Sequence, residues 1–307
     1  MFDAIVEALQ FAFMRNALLA GVLVSVACGI IGTFVVVNRI VFISGGIAHA
    51  AYGGIGLGYF VKYNLLPTLL AGSTLAQDQR PGYFPIVGAI VFSLLSALGM
   101  GWVQRRTRER ADTVIGVLWA IGMSIGIVFV DLTAGYKVDL MSYLFGSILA
   151  VPRPDLIVMV VLDAVIVLLV ALLYKELLAI SFDETFALIE NVPVDAVYLV
   201  LLSMIALTVV MLMRVVGLIM VIAMLTIPAA ISGQFTKDLK KMMALAVALG
   251  MVFTTVGLWI SYAWNLTSGA SIILVAGLAY LLTLLFRTLR QRSALDQNAA
   301  SLETPQL

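Results

Sequence analysis

ALLAGVLVSVACGIIGTFVVV, residues 17–37, carries no charged side chain, and its length decides the fold class. The hydrocarbon core of a bilayer is about 30 Å thick, and a helix needs roughly twenty consecutive apolar residues to cross it. This stretch is one such span. Similar runs recur along the chain: of its 307 residues 63% are hydrophobic and 11% charged, whereas soluble domains carry about a quarter charged residues. No soluble core of this size hides so much apolar surface. The chain therefore reads as all-α, a polytopic integral membrane protein, because a helix satisfies its own backbone groups in lipid.

Working outward from that run, the spans fall at 16–38, 40–61, 83–104, 112–133, 155–174, 195–213, 215–233, 241–263 and 268–287. Nine helices are expected. Two short turns, at Asn38–Arg39 and at Arg214, widen the range to eight to ten. Nine spans put the termini on opposite sides, and basic residues collect in cytoplasmic loops. The densest clusters, Arg105, Arg106, Arg108 and Arg110, and Lys237, Lys240, Lys241, Arg287, Arg290 and Arg292, lie on one side only if the C-terminus is cytoplasmic and the N-terminus outside. Residues 2–14 then form a short amphipathic helix on the outer interface. The outer stretch 134–154 holds MSYLFGSIL, too short to cross and read as a half-helix beside an outer opening. Residues 1–292 make a single transmembrane domain, and the polar segment 293–307 is expected to be a disordered cytoplasmic tail.

Several classes are excluded by what is missing. A net charge of +1 with basic residues confined to span ends argues against a nucleic-acid partner. The single Cys28 allows no disulfide within the chain, and no Cys/His cluster has zinc-site spacing. Asp3 and Glu7 stand where a cleavable signal peptide would be basic.

The second span, IVFISGGIAHAAYGGIGLGYFV (40–61), holds the only histidine. Gly46, Ala50, Gly54 and Gly58 recur every four residues and form a small-residue packing face that lets another helix approach closely. His49 stands between Gly45 and Gly53, one turn away on either side, so its own helix does not crowd it. It is read either as a pathway group or as a packing group. Asp163, in VMVVLDAVIVLL, is a second ionisable residue at mid-span. Ionisable groups at this depth mark ion or substrate routes unless a neighbouring hydroxyl satisfies them. Pro228, in VIAMLTIPAAIS, should interrupt its helical ladder, leaving carbonyls for Thr226 and Ser232 to cover or for a cavity to use.

Between the fifth and sixth spans, KELLAISFDETFALIENVPVDAV (175–197) is long enough for a helix at the inner surface. Asp183 and Glu184 suit its first turn, Phe186, Ala187, Leu188 and Ile189 supply apolar area, and Pro193 ends it. Such a helix either docks a soluble partner or rests on the bilayer. No GxxxxGK[ST] loop, HExxH or nucleophile elbow occurs in the chain. It is therefore read as non-catalytic, with any ATP handled by another chain.

These residues resemble the membrane permeases of ABC transporters that import zinc, manganese or iron. The match runs through FMRNALLAGVLVSVACGIIGTFVVVNR, SGGIAHAAYGGIGLG, YLFGSIL, SFDETFALI and VVGLIMVIAMLTIPAA, in the family's order. The resemblance implies a vitamin-B12-importer-like (type II) permease fold in a prokaryotic cytoplasmic (inner) membrane, used as a homodimer around a central pathway and surrounded by membrane lipid. It also implies a cytoplasmic ATP-binding subunit, an extracytoplasmic metal-binding protein, no permanently bound cofactor, and a divalent metal as transported substrate. SFDETFALI is similar to the family's coupling helix, which carries Asp183, Glu184 and Ala187 over as ATPase-facing positions. His49 matches a histidine near the pathway that contacts metal in some members. Many members place an acidic residue four positions before it, where this chain has Gly45, and Asn191 replaces a usual glycine. A stand-alone ion-coupled secondary transporter would need buried acids, and Asp163 is nearly alone. An intramembrane enzyme would need a nucleophile and base that the chain does not offer.

Overall fold

The computed structural model describes residues 10–65, 83–106, 111–133, 144 and 146–302, and every regular element among them is helical. In chain order these are α1 (Ala12–Val37), α2 (Val41–Phe60, prolonged by a π turn over Val61–Leu65), α3 (Phe84–Arg106) and α4 (Ala111–Asp131). After a 3-10 turn over Ile148–Ala150 come α5 (Arg153–Leu172), α6 (Tyr174–Phe182) and α7 (Glu184–Ile189). The last four are α8 (Val194–Val216), α9 (Leu218–Phe235), α10 (Leu239–Trp264) and α11 (Ser268–Leu302). All except α6 and α7 are long and apolar enough to cross a membrane, so the described residues hold nine candidate spans.

Both doubtful turns separate distinct helices. At the end of α1, Arg39 takes φ 58°; its N–H donates to the Val36 carbonyl at 3.1 Å and that of Ile40 to the Val35 carbonyl at 3.0 Å. This double closure, with a left-handed residue after the cap, is a Schellman stop. Between α8 and α9 the break is Gly217, at φ 84°, a region that costs an L side chain about 1–2 kcal/mol. Gly146, also left-handed at φ 60°, lies against the Val216–Gly217 backbone, where an added Cβ would collide. The described part of the YLFGSIL run therefore tucks into the protein, with Ile148 and Val151 buried. It does not cross, as its length required.

α2 is the central strut. Every residue from Ile43 to Gly56 is buried, with α3 on one side and α4 on the other. Its glycines permit this: a Cβ on Gly54 or Gly58 would fall on the backbone of Gly88 or of Phe84–Pro85 in α3, and one on Gly53 or Gly56 on the Gly122 or Gly126 carbonyl of α4. α1 packs instead with α10, α9 and α5. α8 joins the two groups by touching α3, α9, α2, α1 and α5.

Two expectations need adjusting. Pro228 does not break α9, which runs through it to Phe235. Thr226 Oγ1 donates to the Ile222 carbonyl at 2.9 Å and Ser232 Oγ to that of Pro228 at 2.7 Å, so neither hydroxyl covers the Met224 carbonyl, the one that the proline leaves without its N–H. The backbone of α11 stays helical to Leu302, through most of the segment expected to be a disordered tail, because extending an existing helix adds a hydrogen bond for each residue fixed. Most of the outer loop and of the N-terminal interfacial helix lies outside the described residues.

Candidate functional site

The small-residue stripes bring α4 within reach of the histidine. His49 is 6% exposed, and its ring stacks on Trp119 of α4, centroids 4.2 Å apart and planes 23° apart. The open space expected beside it is therefore taken by an aromatic neighbour. Its Nδ1 is buried and makes no hydrogen bond. A buried polar atom left without a partner costs about 1–3 kcal/mol. Trp119 also roofs Gly45: a Cβ there would stand 2.9 Å from Trp119 Cζ3.

The face Gly46, Ala50, Gly54 and Gly58 does not meet one helix. Gly54 and Gly58 abut α3, Ala50 abuts Gly122 of α4, and Gly46 looks toward the side chains of Ile115 and Met100. The periodicity identified small positions but not that two neighbours share them. Trp119 escaped sequence reading because nothing in α4 ties an isolated tryptophan to a histidine seventy positions earlier.

Asp163 stands apart from this cluster. It is 7% exposed on α5, which packs against α1, and neither carboxyl oxygen has a hydrogen-bond partner. The hydroxyl partner expected for it is not supplied. His49 faces α4 and Asp163 faces α1, so the two do not meet. Among the described residues no group of three or more His, Cys, Asp or Glu forms a metal cluster.

The second candidate surface is α7. Asp183 is its N-cap and accepts from the N–H groups of Thr185 (2.8 Å) and Phe186 (3.1 Å). At the other end Asn191 takes φ 58°, with its N–H bonded to the Leu188 carbonyl at 3.1 Å and that of Val192 to the Ala187 carbonyl at 3.0 Å. Asparagine thus fills a left-handed stop where glycine is usual. Glu184 reaches Arg105 at the end of α3 at 3.3 Å, and Arg105 also pairs with Asp195 and lies over the Tyr198 ring of α8 at 4.6 Å. Exposed pairs contribute only about 0–1 kcal/mol, so these contacts orient α7 more than they stabilise it. Ala187 is fully buried, whereas Phe186 is 54% and Ile189 73% exposed. The outward surface carries Phe186, Leu188 and Ile189, and within the chain Asp183 caps the helix, Glu184 tethers it and Ala187 seats it. Removing the cap by Asp183→Ala should cost about 1 kcal/mol of local helix stability. Faster amide hydrogen exchange confined to residues 184–190 would register it; unchanged exchange there would remove the capping role.

A family model described as the ABC 3 transport family matches residues 10–287. The chain is 58% identical to an uncharacterised membrane protein of Synechocystis sp., over 94% of this chain and 95% of that one. It is 32% identical to the manganese transport system membrane protein MntC of Listeria monocytogenes, over 91% and 92%. Among solved structures it resembles a chain of PsaBC from Streptococcus pneumoniae in complex with Fab, with a TM-score of 0.76 at 30% identity, covering 92% and 95%.

Proposed function

Because the chain belongs to the ABC 3 transport family and is a multi-pass metal-transport permease, we propose that it moves a divalent ion (zinc, manganese or iron) into the cell when a separate cytoplasmic ATPase binds and hydrolyses ATP. Two copies flank the pathway, an extracytoplasmic binding protein delivers the ion, the C-terminal tail is cytoplasmic and the N-terminus outside. The observation that carries the ATP-driven reading is α7: a helix capped at both ends and tied by Arg105 to the ends of α3 and α8, yet presenting Phe186, Leu188 and Ile189 to solvent. An apolar face on a rigid surface element, in a chain with no nucleotide-binding loop, supports docking of the subunit that has one. A stand-alone transporter is less well supported, since among the described residues Asp163 is the only acidic one buried at mid-span.

In the pathway, His49 is the substrate contact. Its orphaned Nδ1 fits a neutral imidazole ligand for a borderline divalent ion, and the fellow copy's imidazole supplies a second. Uptake of labelled metal by proteoliposomes with and without the ATPase tests the reading as a whole: ATP-dependent uptake is expected, and equal uptake by the chain alone would end it. His49→Ala should lower uptake about tenfold at limiting metal while the complex still assembles, on the scale of losing one ligand interaction of about 1.4 kcal/mol. Unchanged uptake would return His49 to a packing role.

A further inference from the structure

Which ions the pathway favours depends on the donors that can stand beside His49, and the geometry around that ring is restrictive. Trp119 covers the imidazole face at 4.2 Å. The same indole occupies the space over Gly45, one helical turn before His49, so that even a Cβ at 45 would stand 2.9 Å from Cζ3. Around Gly46 the neighbours are Ile115 and the thioether of Met100, again without an oxygen donor. Among the described residues the one acidic side chain buried at mid-span, Asp163, is on α5, which packs against α1. Around His49 the described residues therefore supply one imidazole, one aromatic wall and no carboxylate.

Resting on the reading of His49 as the substrate contact, we propose that Trp119 is a specificity-determining residue. By filling the room over Gly45 it keeps oxygen donors, whether a carboxylate or ordered water, away from the ion held at His49. Imidazole suits zinc, copper, iron and nickel, whereas manganese is served better by carboxylate, carbonyl and water oxygens. A nitrogen-only contact of two imidazoles from two copies thus selects zinc-class ions over manganese. The indole also limits the hydration that an ion retains as it passes, which weighs further against an ion that relies on oxygen ligands.

The test is competitive uptake of labelled zinc and manganese, at matched free concentrations, by the complete permease–ATPase complex in proteoliposomes. The wild-type complex is expected to favour zinc by roughly tenfold or more, the scale at which groups around a metal ligand alter affinity. Trp119→Ala, which admits water, should lower that ratio several-fold, and Gly45→Asp combined with Trp119→Ala, which puts a carboxylate in the vacated space, should bring it near unity or reverse it. Trp119→Phe keeps the wall and should keep most of the preference. A merely structural role for Trp119 would reduce both uptakes together and leave their ratio unchanged, which overturns the proposal. Should the double variant fail to assemble, the ratio in Trp119→Ala decides. Manganese preference, or none, in the wild type overturns the inference alone, whereas ATP-dependent uptake of neither these ions nor ferrous iron overturns the importer reading as well.

Discussion

Gly54→Val is expected to yield no assembled permease. At this position α2 meets α3 backbone to backbone: a Cβ on Gly54 would fall on the Gly88 carbonyl, and a Cβ on Gly88 on that of Gly54. Neither obstacle can rotate away as a side chain would. Inserting extra carbons into a packed interior costs about 1–3 kcal/mol even when neighbouring side chains can yield, and here the helices themselves must separate. Within a bilayer no hydrophobic force would hold them together once apart, since association rests on close packing of small residues. The loss should exceed that range and remove the monodisperse peak on size-exclusion chromatography in detergent. Gly99→Ala is the matched control. It lies on α3 with nothing within 4 Å of an added Cβ, so the ordinary helix preference for alanine, about 0.5–1 kcal/mol, should leave it neutral or slightly more stable. Equal thermal midpoints for Gly54→Val and the wild type would mean that α2 is not clamped between its neighbours.

The contrast between those two glycines bears on what the sequence could reveal. Span number and boundaries were legible because each follows from a run length set by the bilayer; the doubtful turn at Asn38–Arg39 resolved where it was expected, and the one expected at Arg214 fell three residues later, at Gly217. Small residues at Gly46, Ala50, Gly54 and Gly58 were legible as a packing surface, since four-residue spacing is a property of one helix. Which helix fills that surface was not: the stripe divides between α3 and α4, a fact of tertiary arrangement. The site was legible in the same partial way. His49 stood out as the only histidine, while its partner Trp119 comes from another span and has no local signature. At α7 the sequence identified the element, its first-turn acids and its apolar residues, but not which of these face inward: Ala187 is seated in the protein while Phe186, Leu188 and Ile189 point out. Asp183 and Glu184 also take on local duties, one as the cap and the other as the Arg105 partner, which assigns the outward contact area to the apolar side chains.

That assignment leads to the other large effect. Phe186→Asp combined with Ile189→Asp should abolish ATP-driven uptake while leaving the permease folded. Both side chains point away from the chain, Phe186 54% and Ile189 73% exposed, so replacing them removes no internal packing. Seating each in a groove of a partner would contribute about 1.5–3 kcal/mol, and the pair together a weakening of more than about a hundredfold. Carboxylates in the same groove would add a desolvation cost. The ATPase should no longer co-purify, and hydrolysis should lose its dependence on metal and binding protein. Asp183→Ala should act more mildly, because a frayed first turn still presents Phe186 and Ile189 part of the time. Ala187→Leu should behave differently again, since Ala187 is fully buried and a larger side chain would lift α7 from its seat and damage the permease itself. Four substitutions within seven residues thus separate face, cap and seat. Retained co-purification and full uptake in the double aspartate variant would place α7 against the bilayer instead, and the coupling surface would have to be found elsewhere on the inner side.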